Sequence, residues 1–523
     1  MRPGSSPRAA IENLGNGVRE LARQVQRDVF VRRGVGVVIV VCVCCVAAFL
    51  AVSILSVAHP FDLDMYEGCI FLPATRIAEG LPVYGRAVTV NPPFVFANYG
   101  PVYYVMVAAA IRHVGPAFWP GRLLSLVFVL VTAFLIGHVV KRGQGGYHPG
   151  TVAAALYLMM PATWTFGSLQ RVDALGGCFS VLAVAAAVSG EAGRPLGRSY
   201  AFMLAGMAAT LAMLTKQSLL AAGLAVFMTL LVAGRGVEVK WFLAGCIAVI
   251  AAFSAWAALT KNTGYLFNQA ANAAVPFTLT QLVVQTRIFV QSGSALAALV
   301  LAMFVVPMAF ARRSGFVERL AVLYLVLAGL MAAASASRIA SSTNHFLELG
   351  AAVSLCAGLS IRRLQSLEGD GLRLANLLLC VALLVDLALF RVSFVRGRIL
   401  IPTAKRPLHE RLIRDLTLRV PPGEPLIGEY TDAVILSGRP LYFSDLGMYQ
   451  VGPPYMRSLL TDYLERRRLA GIICAAPASF DGYGLMPGYG YPDPHALGGQ
   501  NYPGPLLYLR DDLRARSVRG TGP

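Results

Sequence analysis

Long uncharged stretches of apolar residues recur along the chain and predict where it crosses a membrane. The first stretch, Val35 to Val57, contains no charged residue, and about 20 apolar residues are enough for one helix to span a bilayer. Further apolar runs begin near Leu123, Thr151, Ala174, Tyr200, Leu219, Trp241, Ile288, Leu320, Phe346 and Leu372. The pattern predicts a polytopic α-helical membrane protein with about eleven transmembrane helices.

The first apolar run has a competing interpretation as a secretory signal peptide. The polar, Arg-bearing segment before it is longer than the charged region of such a peptide, and the run exceeds the usual apolar core. We therefore expect the run to be retained as a membrane anchor. Residues 1–34 are then a cytoplasmic N-terminal segment.

Lys and Arg residues predict which side each loop faces, because cytoplasmic loops carry the excess of positive charge. One threading of the chain through the membrane places all basic loops on the cytoplasmic side. It requires that the apolar piece Val102 to Ile111 does not cross the membrane. This piece is too short for a span, and we expect an interfacial or re-entrant helix. Residues 59–121 then form one large external loop of a transmembrane domain that covers residues 35–391. The basic residues placed inside are Arg19, Arg23, Arg27, Arg32, Arg33, Lys141, Arg142, Arg194, Arg198, Arg235, Lys240, Arg312, Arg313, Arg319, Arg362, Arg363 and Arg373.

The sequence changes character after Phe390. From Arg391 to Pro523 no apolar run of span length remains, and Pro and Gly become frequent. The patch Pro425 to Gly438 is typical of strand and turn sequence. With an odd number of spans and an internal N-terminus, residues 392–523 are predicted to form a small extracytoplasmic α/β domain.

Composition and charge agree with a membrane protein: 56% of the residues are hydrophobic and the mean hydropathy is +0.62. The net charge of +18 would also suit nucleic-acid binding, which requires a basic face interleaved with aromatic residues. The Lys and Arg residues of the membrane domain lie mainly in short loops instead, so topology explains them. We expect no nucleic-acid partner, and contacts of the C-terminal Arg residues with anionic membrane lipids.

The nine cysteines do not indicate a metal site, because most lie in or beside apolar runs and no CxxC pair occurs. Cys69 and Cys474 are the two that the threading places outside. A disulfide between them is the less favoured alternative.

The segment Phe61 to Gly68, FDLDMYEG, concentrates acid directly after the first span. Asp62, Asp64 and Glu67 lie close together in a chain of which only 14% is charged. A carboxylate can act as the general base that activates a nucleophile, and neighbouring cations can hold a phosphate. The threading brings further polar and aromatic residues to the same side, namely Tyr99, Tyr103, Arg171, Asp173, Lys216, Asn344, His345 and Glu348.

Each of these residues also has an ordinary structural explanation. The loop acids could simply be solvated, and Arg171 and Asp173 could form a structural ion pair. Lys216 could extend its ammonium group to lipid head groups, and His345 could begin a helix that Asn344 caps. The joint occurrence of acids, cations and a histidine on one side favours a functional site.

The order of short motifs along the chain resembles the GT-C glycosyltransferases. After the acids come ATRIAEG (Ala74 to Gly80), PVY (Pro82 to Tyr84), YGPVYY (Tyr99 to Tyr104) and GRLLS (Gly121 to Ser125). The later RVD, LTK and NHFLE elements are similar to those of bacterial members related to the protein mannosyltransferases and the aminoarabinose transferase of lipid A. The resemblance covers residues 35–360.

This resemblance implies an inverting hexosyl- or pentosyltransferase that takes its sugar from a polyprenyl-phosphate donor. The acceptor would be a glycan, a lipid or a protein at the outer face of the inner or plasma membrane, and the enzyme would serve the cell envelope. A first-loop acid would be the general base. Many relatives carry adjacent Asp and Glu residues there, whereas the acids of this chain are spaced, so the choice among Asp62, Asp64 and Glu67 stays open. Some relatives bind a divalent metal ion through a first-loop acid and a later histidine, to which Glu67 and His345 correspond.

A transporter or flippase of lipid-linked sugars is the alternative function, without covalent chemistry. Such a protein would place ionisable residues near the bilayer midplane and often has repeated halves. Here most ionisable residues lie at the ends of apolar runs and no repeat is visible. Asp386, within the last run, is expected to pair with a neighbouring helix. A structural partner of an envelope complex would not need the acids and cations, so the sequence favours the transferase.

Overall fold

The computed structural model describes residues 36–64, 66–142, 147–191, 193, 195–310, 315–339, 341–366, 370–386, 388, 401–466, 468–474, 481, 483–486 and 506–514. The predicted N-terminal segment 1–34 and the predicted domain boundary between residues 391 and 392 lie outside these residues. So do eight of the basic residues that were placed inside, namely the five in the N-terminal segment and Arg194, Arg312 and Arg313.

Eighteen α-helices precede the predicted domain boundary within the described residues. They are α1 (Gly36–Ala58), α2 (Tyr66–Ala78), α3 (Arg86–Val90), α4 (Pro101–Val114), α5 (Trp119–Arg142), α6 (Tyr147–Met159), α7 (Pro161–Phe166), α8 (Val172–Glu191), α9 (Pro195–Thr215), α10 (Ala221–Val232), α11 (Gly236–Leu259), α12 (Tyr265–Ala273), α13 (Leu279–Val290), α14 (Gly293–Met303), α15 (Val305–Phe310), α16 (Phe316–Ala336), α17 (Leu347–Ser366) and α18 (Asp370–Val385). A 3-10 turn, Thr343–Phe346, leads into α17.

Six described helical stretches are long and apolar enough to cross a membrane: α1, α5, α8, α11, α16 and Thr343–Leu364. Helices α13 and α14 meet at 92° and make a seventh if they form one broken span. Four more predicted runs coincide with α6, α9, α10 and α18, which are shorter or less apolar. The polytopic helical class is confirmed, and six or seven of the predicted spans reach full length and hydropathy in the described part of the chain.

Two of the long helices lie inside the bundle. The apolar window of α8 is 83% buried and that of Thr343–Leu364 is 89% buried, against 22% for α11. Helix α8 is rich in Ala and Gly, and such small residues allow helix backbones to approach closely inside a membrane. The polar residues at the ends of these inner helices are therefore enclosed by protein.

Asp386 holds the bend between α13 and α14. Its carboxylate accepts hydrogen bonds from the hydroxyls of Ser292 and Ser294 and from the backbone N–H of Gly293, at 2.6 to 2.9 Å. A carboxylate at membrane depth is costly unless such partners satisfy it. Asp386 thus pairs with a neighbouring helix, as the sequence predicted.

The long loop predicted at residues 59–121 contains three helices, α2, α3 and α4. Helix α4 includes the apolar piece that was predicted not to cross. Its 14 residues extend over roughly 21 Å, which is shorter than the ~30 Å hydrocarbon core of a bilayer. Helix α4 packs against α2, α5 and α9. The helices of the first loop therefore lie at one end of the bundle.

A small α/β unit follows at the C-terminal side. It contains α19 (Ile401–Arg419), β1 (Leu426–Gly428), α20 (Thr431–Leu436), α21 (Leu446–Val451), α22 (Pro454–Glu465), β2 (Gly471–Cys474), β3 (Tyr483–Leu485) and β4 (Leu506–Arg510). The four strands have the order β1-β2-β4-β3. Strand β1 is parallel to β2, with Leu426 opposite Gly471, and the other two pairs are antiparallel. The patch predicted as strand and turn is a strand at Leu426–Gly428 and then the short helix α20.

The α/β unit packs on the first loop, against α2 and the segment from α3 to Phe94. Phe94 stacks on Phe443 with ring centroids 4.4 Å apart, and the hydroxyl of Tyr449 donates to the carbonyl of Thr89 at 2.6 Å. The unit therefore faces the same end of the bundle as the acidic first-loop segment.

Candidate active site

Arg122 organises the acidic segment from the start of α5. Its side chain is completely buried, and its guanidinium donates to the carbonyls of Ser56, His59 and Phe61 at 3.0, 2.5 and 2.5 Å. It also donates to both carboxylate oxygens of Glu67, at 2.8 and 2.7 Å. One side chain thus joins the end of α1, the loop and α2.

Glu67 is held on both carboxylate oxygens. Besides Arg122, the backbone N–H groups of Leu63 and Gln170 donate to it at 2.8 and 2.7 Å. Burial alone would raise the pKa of Glu67, but the charge of Arg122 and these hydrogen bonds hold that pKa below its ordinary value. Such a carboxylate is a poor proton acceptor, and its contacts are those of a structural ion pair.

Asp64 faces a different cation and keeps part of its surface accessible. Its Oδ1 accepts from the backbone N–H of Tyr66 at 2.9 Å and from Nη1 of Arg171 at 3.1 Å. The side chain is 22% exposed. Asp64 therefore combines a fixed orientation with access for a ligand.

Asp173, in the first turn of α8, is the centre of a buried charge network. Its Oδ1 accepts from Nζ of Lys216 at 2.6 Å and from Nδ2 of Asn344 at 3.0 Å, and its Oδ2 accepts from Nε of Arg171 at 3.3 Å. Through Arg171 the network continues to Asp64. These residues come from four separate parts of the chain, and the structure brings them together.

Aromatic rings hold the two cations of this network in place. The guanidinium of Arg171 lies 5.1 Å from the ring centroid of Tyr66 and 4.8 Å from that of Phe166. The ammonium of Lys216 lies 6.0 Å from the ring of Tyr99. Cation–π contacts of this kind stabilise desolvated cations, and they leave further N–H groups of Arg171 for a ligand.

A cavity of about 250 Å³ opens beside the network, between the bundle and the α/β unit. Five of the residues predicted for the site line it: Tyr99, Arg171, Lys216, Asn344 and His345. Nδ1 of His345 is buried and has no hydrogen-bond partner among the described residues. The cavity is thus rich in groups that can bind a polar ligand.

Asp173, Glu348 and Tyr103, which were also predicted for substrate binding, do not line this cavity, and neither do the first-loop acids Asp62, Asp64 and Glu67. Glu348 is buried in α17 and accepts from the backbone N–H of Ala222 at 3.4 Å. The hydroxyl of Tyr103 donates to the carbonyl of Gly121 at 2.8 Å and contacts Ser125 at 2.9 Å. Both residues support the packing behind the site.

Two charged residues of the cavity were missed by the sequence pattern, Arg338 and Asp445. Arg338 donates to the carbonyl of Asn272 at 2.9 Å, and no described carboxylate lies within 4.0 Å of it. Its place just before the NHFLE motif was an available signal. Asp445 comes from the α/β unit, where no motif pointed to the site. Its carboxylate accepts from Asn98 at 2.5 Å, and burial raises the pKa of Asp445.

Asp62 turns away from the charge network and toward the α/β unit. Its backbone N–H donates to the Asp432 carboxylate at 3.3 Å, and its own carboxylate lies beside His409 and Asp432. Each of the three first-loop acids therefore contacts a different set of residues. Cys69 and Cys474, the two thiols predicted outside, do not form a disulfide with each other.

The pair Glu67 and His345, which the resemblance implies as metal ligands, does not fit a cation. Both oxygens of Glu67 are occupied by Arg122 and by backbone N–H groups. A metal ion there would meet the positive guanidinium at close range. No step of the chemistry is therefore assigned to a metal at that pair.

Comparisons with known proteins agree with this architecture. Residues 98–259 match the family model for dolichyl-phosphate-mannose-protein mannosyltransferase. The crystal structure of ArnT from Cupriavidus metallidurans in the apo state aligns with a TM-score of 0.58 and 15% identity, over 83% of this chain and 92% of that chain. ArnT from the same organism bound to undecaprenyl phosphate aligns with a TM-score of 0.58 and 13% identity, over 89% and 97% of the two chains. No curated protein matches the chain by sequence.

Proposed function

We propose that this chain, which has the fold of the GT-C glycosyltransferases, is a membrane glycosyltransferase that uses a polyprenyl-phosphate sugar donor. It transfers the sugar with inversion to an acceptor at the outer face of the membrane. The observation that carries the proposal is the charge network Asp64–Arg171–Asp173–Lys216, of which Arg171 and Lys216 line a polar cavity under the α/β unit.

The donor class is supported by the chemistry of the cavity and by the matched proteins. The name of the family model that matches residues 98–259 includes a sugar donor, dolichyl-phosphate-mannose. One of the matched ArnT structures contains bound undecaprenyl phosphate. Arg338 has no carboxylate partner among the described residues, so its charge is available to a phosphate. Arg171 and Lys216 are partly neutralised by Asp64 and Asp173, and they would contribute their remaining N–H groups.

Asp64 is the first-loop acid best suited to act as general base. It is partly exposed and oriented by Arg171 and by the backbone of Tyr66. In the proposed reaction its carboxylate takes the proton of the acceptor hydroxyl while that oxygen attacks the anomeric carbon. The bond from that carbon to the phosphate oxygen breaks, and polyprenyl phosphate leaves with the electron pair. Attack from the side opposite the leaving group inverts the anomeric centre.

Asp445 is the second candidate for the base, because it lines the cavity from the α/β unit and its pKa is raised by burial. Its Oδ1 caps α21 by accepting from the backbone N–H of Met448 at 3.2 Å, and its Oδ2 is bonded to Asn98. These two contacts favour a role in closing the cavity. The comparison of Asp64 and Asp445 variants below separates the two residues.

The proposal is tested with purified protein in lipid nanodiscs and a panel of polyprenyl-phosphate sugars. Released polyprenyl phosphate and glycosylated acceptor are measured. We expect Asp64→Asn to lower turnover by about 10² to 10⁴, the usual contribution of a general base, with an unchanged unfolding temperature. Glu79→Gln, which changes an exposed acid of the same loop, is the matched control and should keep full activity.

Two outcomes would count against the proposal. If no sugar in the panel is cleaved from its lipid while vesicles with the protein move the intact lipid-linked sugar across the membrane, the protein is a flippase. If Asp64→Asn keeps normal turnover and Asp445→Asn abolishes it, the base is Asp445.

A further inference from the structure

A second cluster of ionisable side chains lies where the first loop meets the α/β unit, apart from the cavity. It consists of Asp62 in the loop, His409 in α19 and Asp432 in α20. One ligand atom from each of the three residues lies within 4.8 Å of the other two. Nδ1 of His409 is 2.9 Å from Oδ2 of Asp432.

Two carboxylate oxygens in this cluster lack partners. The Asp432 side chain has no solvent exposure, and its Oδ1 is buried without a hydrogen bond to any described residue. Oδ2 of Asp62 is likewise a buried atom without a hydrogen bond to any described residue. A buried polar oxygen left without a partner is costly, and such atoms often mark the place of an ion or a water molecule.

The charge of the cluster is also unbalanced. Two acids face each other, and the nearby cation Arg122 is already bound to Glu67 and to backbone carbonyls. Two ionised carboxylates this close together repel each other. A divalent cation among these oxygens would remove both the repulsion and the missing contacts.

The donor set and its geometry suit a transition-metal ion. An imidazole nitrogen and carboxylate oxygens are ligands of Zn²⁺ and related divalent ions, at about 2.0 to 2.2 Å. Two atoms 2.9 Å apart subtend roughly 90° at an ion that lies ~2.1 Å from each. Two aromatic contacts fix the orientation of the His409 ring. It stacks on Phe61, with ring centroids 5.0 Å apart, and makes an edge contact with Tyr430 at 5.5 Å.

The backbone around the cluster permits the close approach that the ligands require. Thr431, next to Asp432, lies against Gly68 of α2, where an added Cβ atom would stand 1.6 Å from Oγ1 of Thr431. Gly68 and Asp62 belong to the same first-loop segment. The loop and the α/β unit are therefore in direct contact beside the cluster.

We propose that Asp62, His409 and Asp432 bind one divalent transition-metal ion that clamps the α/β unit onto the first loop. The site differs from the pair Glu67 and His345 in every ligand, and it does not depend on the proposed reaction. Its function is to fix the loop that carries Asp64 relative to the α/β unit, which covers the cavity.

The test measures zinc binding to the full-length protein in nanodiscs. The protein is treated with a chelator and dialysed against Zn²⁺, and bound metal is counted by plasma mass spectrometry. We expect one equivalent of zinc in the unmodified protein and a zinc-dependent rise of the unfolding temperature. His409→Gln and Asp432→Asn should each weaken binding at least tenfold, since even the loss of a hydrogen bond to a ligand costs about 10 to 100-fold in metal affinity.

Two control variants make the result specific. His113→Gln changes an exposed histidine at the end of α4 and should bind zinc normally, and so should His345→Gln. Cobalt in place of zinc should give a spectrum without a thiolate charge-transfer band, which excludes the cysteines as ligands. If Asp432→Asn cannot be purified in folded form, His409→Gln decides.

Three results would overturn the proposal. The first is the absence of saturable zinc and manganese binding. The second is unchanged binding in both His409→Gln and Asp432→Asn. The third is loss of binding in His345→Gln with normal binding in the two cluster variants.

Discussion

At the scale of single residues, the three first-loop acids differ in the partner that each one faces. Glu67 meets the buried guanidinium of Arg122, Asp64 meets Arg171, and Asp62 meets the cluster of the α/β unit. Acids within six positions of each other in the chain can thus have unrelated functions. The chemical role of each depends on its accessibility and on how many of its oxygens are already occupied.

The first prediction concerns Glu67. Glu67→Gln leaves the buried charge of Arg122 unpaired, and removal of one partner of a buried ion pair costs about 3 to 5 kcal/mol. We therefore expect a marked fall of the unfolding temperature of the purified protein. Because the pKa of Glu67 is below its ordinary value of 4.5, the stabilisation is complete above pH 4.5 and is lost as the pH falls through the lower folded-state pKa.

Activity and stability of the same variant distinguish the two roles of Glu67. Glu79→Gln serves as the control and should unfold like the unmodified protein. A Glu67→Gln protein with normal stability and no turnover would show that Glu67 takes part in the chemistry, as the resemblance to the GT-C family allowed.

The second prediction concerns Arg338. A charge-assisted contact with phosphate contributes roughly 1.5 to 3 kcal/mol, so Arg338→Ala should weaken donor binding about tenfold to a hundredfold. The free energy of unfolding should fall by only about 1 kcal/mol, because the guanidinium has no carboxylate partner among the described residues and loses a hydrogen bond to the carbonyl of Asn272 and a contact with the Phe277 ring. Donor affinity is measured by titration with a polyprenyl-phosphate sugar.

Arg338→Lys should recover part of this affinity, because it restores the charge without the planar guanidinium. Arg287→Ala, an exposed change on α13, is the control. Equal donor affinity in Arg338→Ala and Arg287→Ala would exclude Arg338 from the phosphate site. Arg171 and Lys216 are less direct tests, since alanine there also leaves Asp173 buried with fewer partners.

At the scale of elements, glycines set how closely α9 and α11 can pack. A Cβ atom on Gly206 would lie 1.9 Å from the carbonyl oxygen of Phe242, and one on Gly245 would lie 2.1 Å from that of Met203. The two helices therefore touch backbone to backbone, which is how small residues hold helices together in a membrane. The fixed position of α9 matters for function because Lys216 follows its last residue.

The third prediction tests this packing. Gly206→Ala and Gly245→Ala each force the backbones apart, and overpacking of this kind costs about 1 to 3 kcal/mol. Both variants should unfold at lower temperature. Gly329→Ala on α16 is the control, because no atom lies within 4 Å of its added Cβ. Equal unfolding temperatures in all three variants would contradict the close contact of α9 and α11.

At the scale of the whole molecule, the first loop and the α/β unit face the same end of the bundle. Contacts between Phe94 and Phe443 and between Thr89 and Tyr449 join them. The positive-inside rule assigns this end to the outer face of the membrane, and that assignment remains a prediction.

The fourth prediction tests this sidedness by thiol labelling in intact cells. Cys69 is unsuitable as a probe because it is buried, so single cysteines are introduced into a cysteine-free chain. Glu79→Cys in the first loop and Leu418→Cys in α19, where Leu418 is 76% exposed, should react from outside. Val237→Cys, at the start of α11, should react only after the membrane is permeabilised.

The pattern of labelling separates two kinds of error. Reaction of Glu79→Cys and Leu418→Cys only after permeabilisation would invert the whole threading. Reaction of these two positions on opposite sides of the membrane would contradict the docking of the α/β unit on the first loop.

The sequence by itself determined the membrane class, the places of the apolar helices and five of the polar residues that line the cavity. These properties depend on apolar runs and on charges near their ends, which a local stretch of chain already contains. Tyr99, Arg171, Lys216, Asn344 and His345 were found in this way, and all line the cavity.

Only the tertiary structure decided which acid is accessible, which cation is unpaired and what the α/β unit contributes. Asp64 and Glu67 look alike in the sequence, and the difference between them comes from Arg171 and Arg122, which are far along the chain. Asp445, His409 and Asp432 reach the first loop from more than 300 residues away. The partners of a side chain and its burial depend on packing between distant elements, and no local pattern of residues contains that information.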